Sequence, residues 1–224
     1  MNILAFDTSD LVLSAALSSK TGIWYTEIDA GIKHSELLME CINGLCTSSG
    51  IEPKELNLIA CMSGPGSFTG LRIGFSAAKG LAMALGIPMI PVPTLDCLAY
   101  SLSFWPGIVI PSIDAKKGCF FTALYRGKER LTGYMDAPPQ TITAELEKRL
   151  LSREEPVVLT GSGSDLLYPF LAASFPNASI DTLARNGRAR ELIELAKNAR
   201  IAGDYIPDSG PLYIRKSDAE LKHG

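Results

Sequence analysis

The stretch Ser63–Gly74 has the residue types that could bind a phosphate group. Its sequence, SGPGSFTGLRIG, places four glycines between an apolar run and a long helical pattern. A Walker A motif that starts at Gly64 would need glycine and lysine where Thr69 and Gly70 stand, and the motif Gly-x-Gly-x-x-Gly would need its third glycine at Thr69. The loop matches neither motif, and nucleotide binding through Gly64 and Gly66 stays open as an alternative.

A row of small residues follows in the predicted helix. They recur at every fourth position, as Gly70, Gly74, Ala78, Ala82 and Gly86. This spacing places them along one side of a helix. Because a glycine inside a helix costs about 1 kcal/mol relative to alanine, we expect another element to approach this side closely. The spacing by itself favours packing on the chain's own sheet over an interface with another subunit.

The sequence offers no recognisable pair of a nucleophile and a general base. The two histidines are His34 and His223, and the five cysteines contain no Cys-x-x-Cys pair. An odd number of cysteines without such a pair predicts free, buried thiols rather than disulfides or a zinc site. The sequence also lacks a Gly-x-Ser-x-Gly elbow. It therefore predicts no catalytic residue and no metal site.

Charge and hydropathy indicate the compartment of the chain and the kinds of partner it can bind. The formal charge of the 224 residues is −3 at pH 7, without a basic run. Because nucleic-acid binding depends largely on neutralising phosphates, we expect contact with nucleic acid only through a partner. Asp7 interrupts the apolar start of the chain too early for an export signal, and no apolar run could cross a bilayer. These features predict a cytoplasmic protein that does not contact a membrane.

The first half of the chain reads as a sheet with two helices. Strands are predicted at 3–6, 11–17 and 23–28 as an antiparallel start, followed by a helix over 35–47. A further strand at 58–62 leads into the glycine loop.

The second half repeats this pattern. Ile108–Ala115 again leads to an aspartate near its end, and Cys119–Tyr125 with Glu129–Tyr134 predicts a hairpin. Val157–Ser164 again leads through glycines into a helix. The repeat predicts two related lobes, at 1–105 and 106–205. We expect the remaining segment, 206–224, to return to the first lobe.

Motifs spread along the chain resemble those of the TsaB (YeaZ) family. Besides Ser63–Gly74, they are Ile3–Ser9 (ILAFDTS), Lys33–Ser35 (KHS), Pro93–Leu95 (PTL) and Pro211–Arg215 (PLYIR). The resemblance implies the α/β fold of the actin and Hsp70 ATPases, a duplicated, two-lobed ribonuclease H-like fold in which helices flank a mixed sheet in each lobe. The role of Tyr213, Ile214 and Arg215 stays unassigned, with packing onto the first lobe as the expectation.

The resemblance also implies a function. TsaB-like proteins are non-catalytic accessory subunits that work with the catalytic subunit TsaD and the ATPase TsaE. Together they transfer a threonylcarbamoyl group to the adenosine 3′ of the anticodon in tRNAs that read codons beginning with A. ATP and metal are then expected on TsaD and TsaE, and this chain would have no cofactor. It would form a homodimer when alone and contact tRNA only through the complex, and the surface for TsaE stays unassigned.

The family resemblance implies a surface for the partner as well. The two helices that begin near Lys33 and near Gly70 would meet their counterparts in TsaD or in a second copy of this chain. This reverses the preference for internal packing at Gly74 and Ala78. The expected partner-binding residues are Lys33, His34, Leu37, Leu38, Cys41, Gly70, Arg72, Ile73, Gly74, Ala77, Ala78 and Leu81.

Two departures from ATP-using relatives of this fold bear on catalysis. Asp7 ends the first strand, where those relatives place an aspartate near metal and phosphate, but no glycine follows it closely. Leu38 stands where TsaD-like proteins have the second histidine of His-x-x-x-His, so His34 lacks its metal-binding companion. We therefore expect a hydrogen-bonded turn aspartate and an interface histidine. The alternatives are an ATP-dependent phosphotransferase that uses Asp7 with Gly64 and Gly66, and an M22-type peptidase.

Overall fold

The computed structural model describes residues 1–203 and 210–215. They fall into two units, each with its own sheet. The first unit contains Met1–Cys97 and Asn186–Pro211, and the second contains Leu98–Arg185 and the segment that begins at Leu212. Within the described residues, no helix combines the length and the apolar character needed to cross a bilayer.

The strands, in chain order, are β1 (Ile3–Asp7), β2 (Val12–Ser18), β3 (Ile23–Asp29), β4 (Leu58–Gly64), β5 (Met89–Pro93), β6 (Ile108–Asp114), β7 (Phe120–Thr122), β8 (Tyr125–Arg126), β9 (Glu129–Arg130), β10 (Met135–Ala137), β11 (Val157–Thr160) and β12 (Ala178–Ile180). The α-helices are α1 (His34–Ser49), α2 (Phe68–Leu85), α3 (Thr94–Tyr100), α4 (Pro139–Glu147), α5 (Ser164–Ala172) and α6 (Ala189–Ala202).

The first sheet has the strand order β3-β2-β1-β4-β5. The first three strands are antiparallel neighbours, as predicted, and β4 and β5 run parallel to β1. Every residue of β1 is buried, because helices cover both faces of the sheet. Leu4 and Phe6 share a core with residues of α1 and α2, whereas Ile3 and Ala5 share one with residues of α6.

The position of α6 corrects the predicted lobe boundaries. The sequence analysis placed residues 106–205 in the second lobe, but α6 packs on the first sheet. Its apolar stripe, which includes Leu192, Ile193 and Ala196, is fully buried there and covers the face that α1 and α2 leave open. The first unit is therefore discontinuous in sequence.

The segment predicted to return to the first lobe, 206–224, also differs from its prediction. Of its described residues, Gly210 and Pro211 belong to the first unit, and Leu212–Arg215 belong to the second. There the Arg215 guanidinium donates hydrogen bonds to both carboxylate oxygens of Asp136, at 2.5 and 2.6 Å, and to the carbonyl oxygen of Ala115, at 2.7 Å. Residues 206–209 and 216–224, and with them His223, lie outside the described residues.

The second sheet repeats the first. Its order is β10-β7-β6-β11-β12, and β8 and β9 extend it beside β6. Strands β6, β7 and β10 are antiparallel neighbours, and β11 and β12 run parallel to β6. Strand by strand this is the topology of the first unit, so the predicted duplicated α/β fold is confirmed.

The hairpin of the second unit differs from its prediction in detail. The strand predicted over 119–125 is interrupted between β7 and β8, and the partner predicted over 129–134 is only the short β9. At the interruption the Leu124 N–H donates to the hydroxyl of Thr132, at 3.0 Å. A side chain thus replaces a main-chain partner, which interrupts the ladder.

Candidate partner-binding surface and the glycine loop

The glycine loop connects β4 to α2. Gly64 has a φ of 111°, a backbone conformation that glycine adopts far more readily than other residues. Ser67 is the N-cap residue of α2, and its hydroxyl accepts a hydrogen bond from the Gly70 N–H at 3.2 Å. The loop therefore has the strand–turn–helix geometry of a phosphate-binding loop, without the matching sequence.

The turn between β1 and β2 packs directly on this loop. The Ser67 N–H donates to the carbonyl oxygen of Ser9 at 2.7 Å, and the Thr8 hydroxyl donates to the carbonyl oxygen of Gly70 at 2.7 Å. A Cβ atom on Gly66 would lie 2.5 Å from the Ser9 carbonyl oxygen, and one on Gly70 would overlap the Thr8 carbonyl oxygen. These glycines admit the chain's own backbone.

The row of small residues on α2 faces the same way. A Cβ atom on Gly74 would overlap the Thr8 hydroxyl, and Ala78 is 0% exposed in the core of the first unit. The prediction that Gly70, Gly74 and Ala78 bind a partner is therefore wrong, because close packing inside the chain already uses them. The first interpretation, packing on the chain's own sheet, is the one the structure bears out.

Asp7 is a buried turn aspartate. It is 5% exposed, and its Oδ1 accepts hydrogen bonds from the Ser9 N–H at 2.8 Å and the Ser9 hydroxyl at 2.6 Å. Burial raises the pKa of Asp7, and the two bonds from Ser9 oppose that shift. One carboxylate oxygen is thus committed to the turn. Nucleotide binding through Asp7, Gly64 and Gly66 stays a prediction.

The first helix turns several predicted contact residues inward. His34, Leu38 and Cys41 are all buried, so they do not form an exposed helical contact surface, and this part of the prediction is corrected; Cys41 instead lines a cleft between α1 and β3. The Nε2 atom of His34 has no hydrogen-bond partner among the described residues. Those residues also contain no group of three His, Cys, Asp or Glu side chains placed to hold a metal ion.

The other predicted contact residues are accessible. Lys33 and Arg72 are exposed, and the Arg72 guanidinium lies 3.8 Å from the centre of the Phe68 ring. Leu37 is half-buried on α1 and lines a cleft against β3.

Three more predicted contact residues lie along α2 where its buried side meets its exposed side, and they pack against the core of the first unit. Ile73, Ala77 and Leu81 are half-buried at a spacing of four, so they form a second row on this helix. Gly80 and Ala84 extend it and are exposed, and we name these five residues the α2 outer row.

Sequence reasoning missed part of this row. A Cβ atom on Gly80 would meet no other atom within 4 Å, so close packing inside the chain does not explain this glycine. Met83, which is 75% exposed, adds an apolar side chain nearby. The signal was present in the sequence as a second set of small residues at 77, 80 and 84, which the stronger four-residue repeat obscured.

The sequence of this chain is similar to those of known proteins. A family model described as TsaD, tRNA N6-adenosine threonylcarbamoyltransferase, matches residues 27–222. The tRNA threonylcarbamoyladenosine biosynthesis protein TsaB of Bacillus subtilis is 32% identical over 227 aligned positions, which cover 99% of this chain and 97% of that protein. The protein of the same name from Escherichia coli is 36% identical over 132 positions, 58% of this chain and 57% of that protein.

A solved structure agrees with the fold. The structure named YeaZ from Pseudomonas aeruginosa superposes with a TM-score of 0.82 at 24% identity, covering 95% of this chain and 99% of that one. At this identity the structural similarity shows the fold alone. The match along nearly the whole Bacillus subtilis sequence shows the family. The chain belongs to the TsaB (YeaZ) family, within the wider threonylcarbamoyltransferase family that the model describes.

Proposed function

We propose that this chain is a non-catalytic accessory subunit in the synthesis of threonylcarbamoyladenosine in tRNA. The observation that carries the proposal is the full-length match to a relative named for this biosynthesis. Segments of this chain also match proteins named tRNA N6-adenosine threonylcarbamoyltransferase. The catalytic partner is then a relative with a similar fold.

The chemistry of the described residues supports a non-catalytic role. Burial raises the pKa of the Cys61 thiol to about 12 and that of Cys97 well above its usual range. Thiols of this kind stay protonated at neutral pH and are poor nucleophiles. Thr8 and Ser9 occupy the approach to Gly66 and Gly70, which speaks against the phosphotransferase alternative, and the buried position of His34 speaks against a peptidase base.

The α2 outer row supports a surface for the TsaD-like partner. Small side chains let two helices approach closely, and Ile73 and Leu81 supply apolar area beside them. Lys33 and Arg72 would lie at the edge of this interface. Because the TsaD-like partner would share this fold, its equivalent helix would pack against α2. A second copy of this chain would compete for the α2 outer row.

The remaining components follow from this assignment. We place ATP and metal on the TsaD-like and TsaE-like subunits and none on this chain. The tRNA is contacted through the assembled complex, since the chain itself is weakly acidic. The cytoplasm, where tRNA is modified, is the compartment that we infer.

Two measurements test the proposal. In a reconstituted system with the TsaD-like and TsaE-like subunits from the same genome, we expect tRNA modification to stop when this chain is omitted. Undiminished modification without it would overturn the function. Light scattering of the mixture with the TsaD-like subunit should show a complex that Gly80→Leu weakens at least about tenfold, because a buried leucine must then be accommodated between the helices.

A matched control separates the surface from general effects of the substitution. Asn198 is an exposed residue of another helix, α6, so Asn198→Leu also adds an exposed leucine to a helix, away from the α2 outer row. We expect it to leave the complex intact. Equal effects of the two substitutions would reject the α2 outer row as the contact surface.

A further inference from the structure

The outer side of β3 is an open edge of the first sheet. β3 pairs with β2 through all seven of its residues, and no main-chain hydrogen bond joins its other side to the rest of the described residues. The strand contains no proline, glycine, lysine or arginine, and these are residues that commonly keep an edge from pairing. The edge is thus free to accept another strand.

A cleft runs beside this edge. It has a volume of about 450 Å³ and separates β3 from α1. Its lining residues are Trp24, Tyr25, Thr26, Ile28, Leu37, Glu40, Cys41, Gly44, Leu45 and Ser48. Trp24, Ile28 and Leu37 are only partly buried, so the cleft presents apolar surface to an incoming side chain. Gly44 keeps it open, since no atom lies within 4 Å of where its Cβ would be.

The charged side chains of the two elements that form the cleft are all acidic. β3 and α1 carry four exposed acidic residues, Glu27, Asp29, Glu36 and Glu40, and neither element contains lysine or arginine. Glu27 is partly engaged on the far face of the sheet, where its carboxylate accepts from the Tyr25 hydroxyl and the Gly187 N–H. The basic residues near these two elements are Lys33, just before α1, Lys20, three residues before β3, and Arg190 of α6, whose guanidinium lies 4.5 Å from the centre of the Tyr25 ring. A second copy would bring acid against acid, whereas a basic segment would be attracted.

The second unit contains an internal example of this kind of recognition. Its outer strand β10 corresponds to β3, and Asp136 on β10 binds Arg215 of the segment that begins at Leu212. A non-helical stretch of chain thus brings a basic side chain to an acidic outer strand. In the first unit, the basic side chain that contacts the outer strand comes from a helix, since the guanidinium of Arg190 on α6 lies 4.5 Å from the centre of the Tyr25 ring.

We propose that the β3–α1 cleft binds an extended segment of a partner protein. The segment pairs with β3 as an additional strand, places alternate apolar side chains in the cleft, and carries lysine or arginine between them to meet the acidic rim. Main-chain pairing provides affinity in this mode, and the cleft provides specificity. The site is separate from the α2 outer row and does not rest on the proposed function.

The test uses a fluorescein-labelled peptide of alternating lysine and valine that matches β3 in length. Fluorescence anisotropy should show saturable binding to the full chain, and amide exchange at 23–29 should slow when the peptide is bound. Gly44→Leu fills the cleft and should weaken binding at least about tenfold, the effect of losing one buried apolar side chain. Gly80→Leu, the matched substitution outside the cleft, should leave binding unchanged.

Two further peptides separate strand pairing from charge attraction alone. A glutamate–valine peptide should bind at least about tenfold more weakly. A lysine–valine peptide that is N-methylated along its pairing edge should lose binding as well, because it cannot donate to β3. Equal binding of the methylated peptide, unchanged binding to Gly44→Leu, or no binding of the lysine–valine peptide would each overturn the proposal.

Light scattering tests whether a second copy of this chain occupies the β3–α1 cleft instead. If the chain alone forms a dimer that Gly44→Leu dissociates and Gly80→Leu does not, the cleft binds a second copy, and the proposal of a basic partner is overturned. Glu40→Lys provides an independent variant, since it reverses a rim charge without filling the cleft. It should weaken the lysine–valine peptide and strengthen the glutamate–valine peptide.

Discussion

The first sheet and the second sheet each end their central strand in an aspartate, and the two carboxylates have opposite surroundings. Asp7 is buried beneath the glycine loop, and burial raises its pKa. Asp114 keeps 26% of its side chain exposed, and hydrogen bonds from Lys116 lower its pKa. One duplicated position has therefore become part of a packed core, while its counterpart has remained on a surface turn.

The residues after each aspartate explain the difference. In the first unit Thr8 and Ser9 follow, and both hydrogen-bond within the chain beneath α2. In the second unit Lys116 and Lys117 follow with positive φ values of 61° and 56°, a backbone conformation that suits an exposed turn and is rare for side chains of this size. Short hydroxyl side chains permit burial of the turn, and long charged ones prevent it.

The largest expected effect lies at Gly70 in the first unit. Gly70→Ala places a methyl group on the carbonyl oxygen of Thr8, and backbone on both sides cannot easily move. We expect the free energy of unfolding to fall by about 3 kcal/mol, measured by urea denaturation. Gly80→Ala, on the outside of the same helix, should raise it by up to about 1 kcal/mol. Similar losses at both positions would contradict the packing role of Gly70.

Gly163, just before α5 in the second unit, should tolerate a side chain better than Gly70. A Cβ atom on Gly163 would lie 3.0 Å from the Asp114 nitrogen and from the Ile113 carbonyl carbon, a tight but less severe contact. Gly163→Ala should lower the free energy of unfolding by roughly 1–2 kcal/mol. A loss at Gly163 larger than the loss at Gly70 would reverse the comparison between the two loops.

A smaller effect is expected at the ion pair between Arg215 and Asp136, on the outer strand of the second unit. Arg215→Ala removes two hydrogen bonds to Asp136 and one to Ala115. Because the pair is only partly buried, we expect a loss of about 1 kcal/mol in urea denaturation. Arg153→Ala, at an exposed arginine of the same unit, is the control. An unchanged free energy of unfolding in Arg215→Ala would show that the segment at 212–215 contributes nothing to the second unit.

The smallest effect is a difference in pH dependence between the two aspartates. The raised pKa of Asp7 means that the folded chain holds this proton more tightly, so the free energy of unfolding should fall as pH rises above the ordinary value of 3.8. The lowered pKa of Asp114 contributes stability that is present above 3.8 and is lost as pH falls through the folded value. Asp7→Asn should remove the first dependence and Asp114→Asn the second, in denaturation series across acidic pH. Identical slopes in the two variants would show that the environments do not differ.

The repeat was readable because each half carries the same order of apolar runs, turn residues and glycines. The sequence did not reveal which sheet α6 packs against. The apolar stripe of Leu192, Ile193 and Ala196 indicates that one side of the helix is buried, but it does not indicate which sheet buries it. Only the three-dimensional structure shows that the first sheet has the uncovered face.

The candidate partner surface was likewise predictable from the sequence only in part. The spacing of small residues that begins in Ser63–Gly74 correctly predicted internal packing of Gly70 and Gly74, and the partner surface on α2 stays a prediction. The partner surface drawn from the family resemblance named both the inner and the outer residues of α2, because sequence spacing fixes rows on a helix but not the direction in which a row faces. Leu37 and Cys41 likewise line the cleft beside β3, which requires the register of strand and helix to be known.

The discontinuity of the first unit also affects how the chain folds as it leaves the ribosome. Strands β1 to β5 emerge early, yet the face of their sheet that carries Ile3 and Ala5 stays uncovered until α6 has been translated, after the second unit's main segment. Domains generally begin to fold in the order of synthesis, and contacts that join distant parts of a chain form slowly. During synthesis the earliest sheet is therefore the last to be completed, and its apolar face is the surface a nascent-chain chaperone would protect.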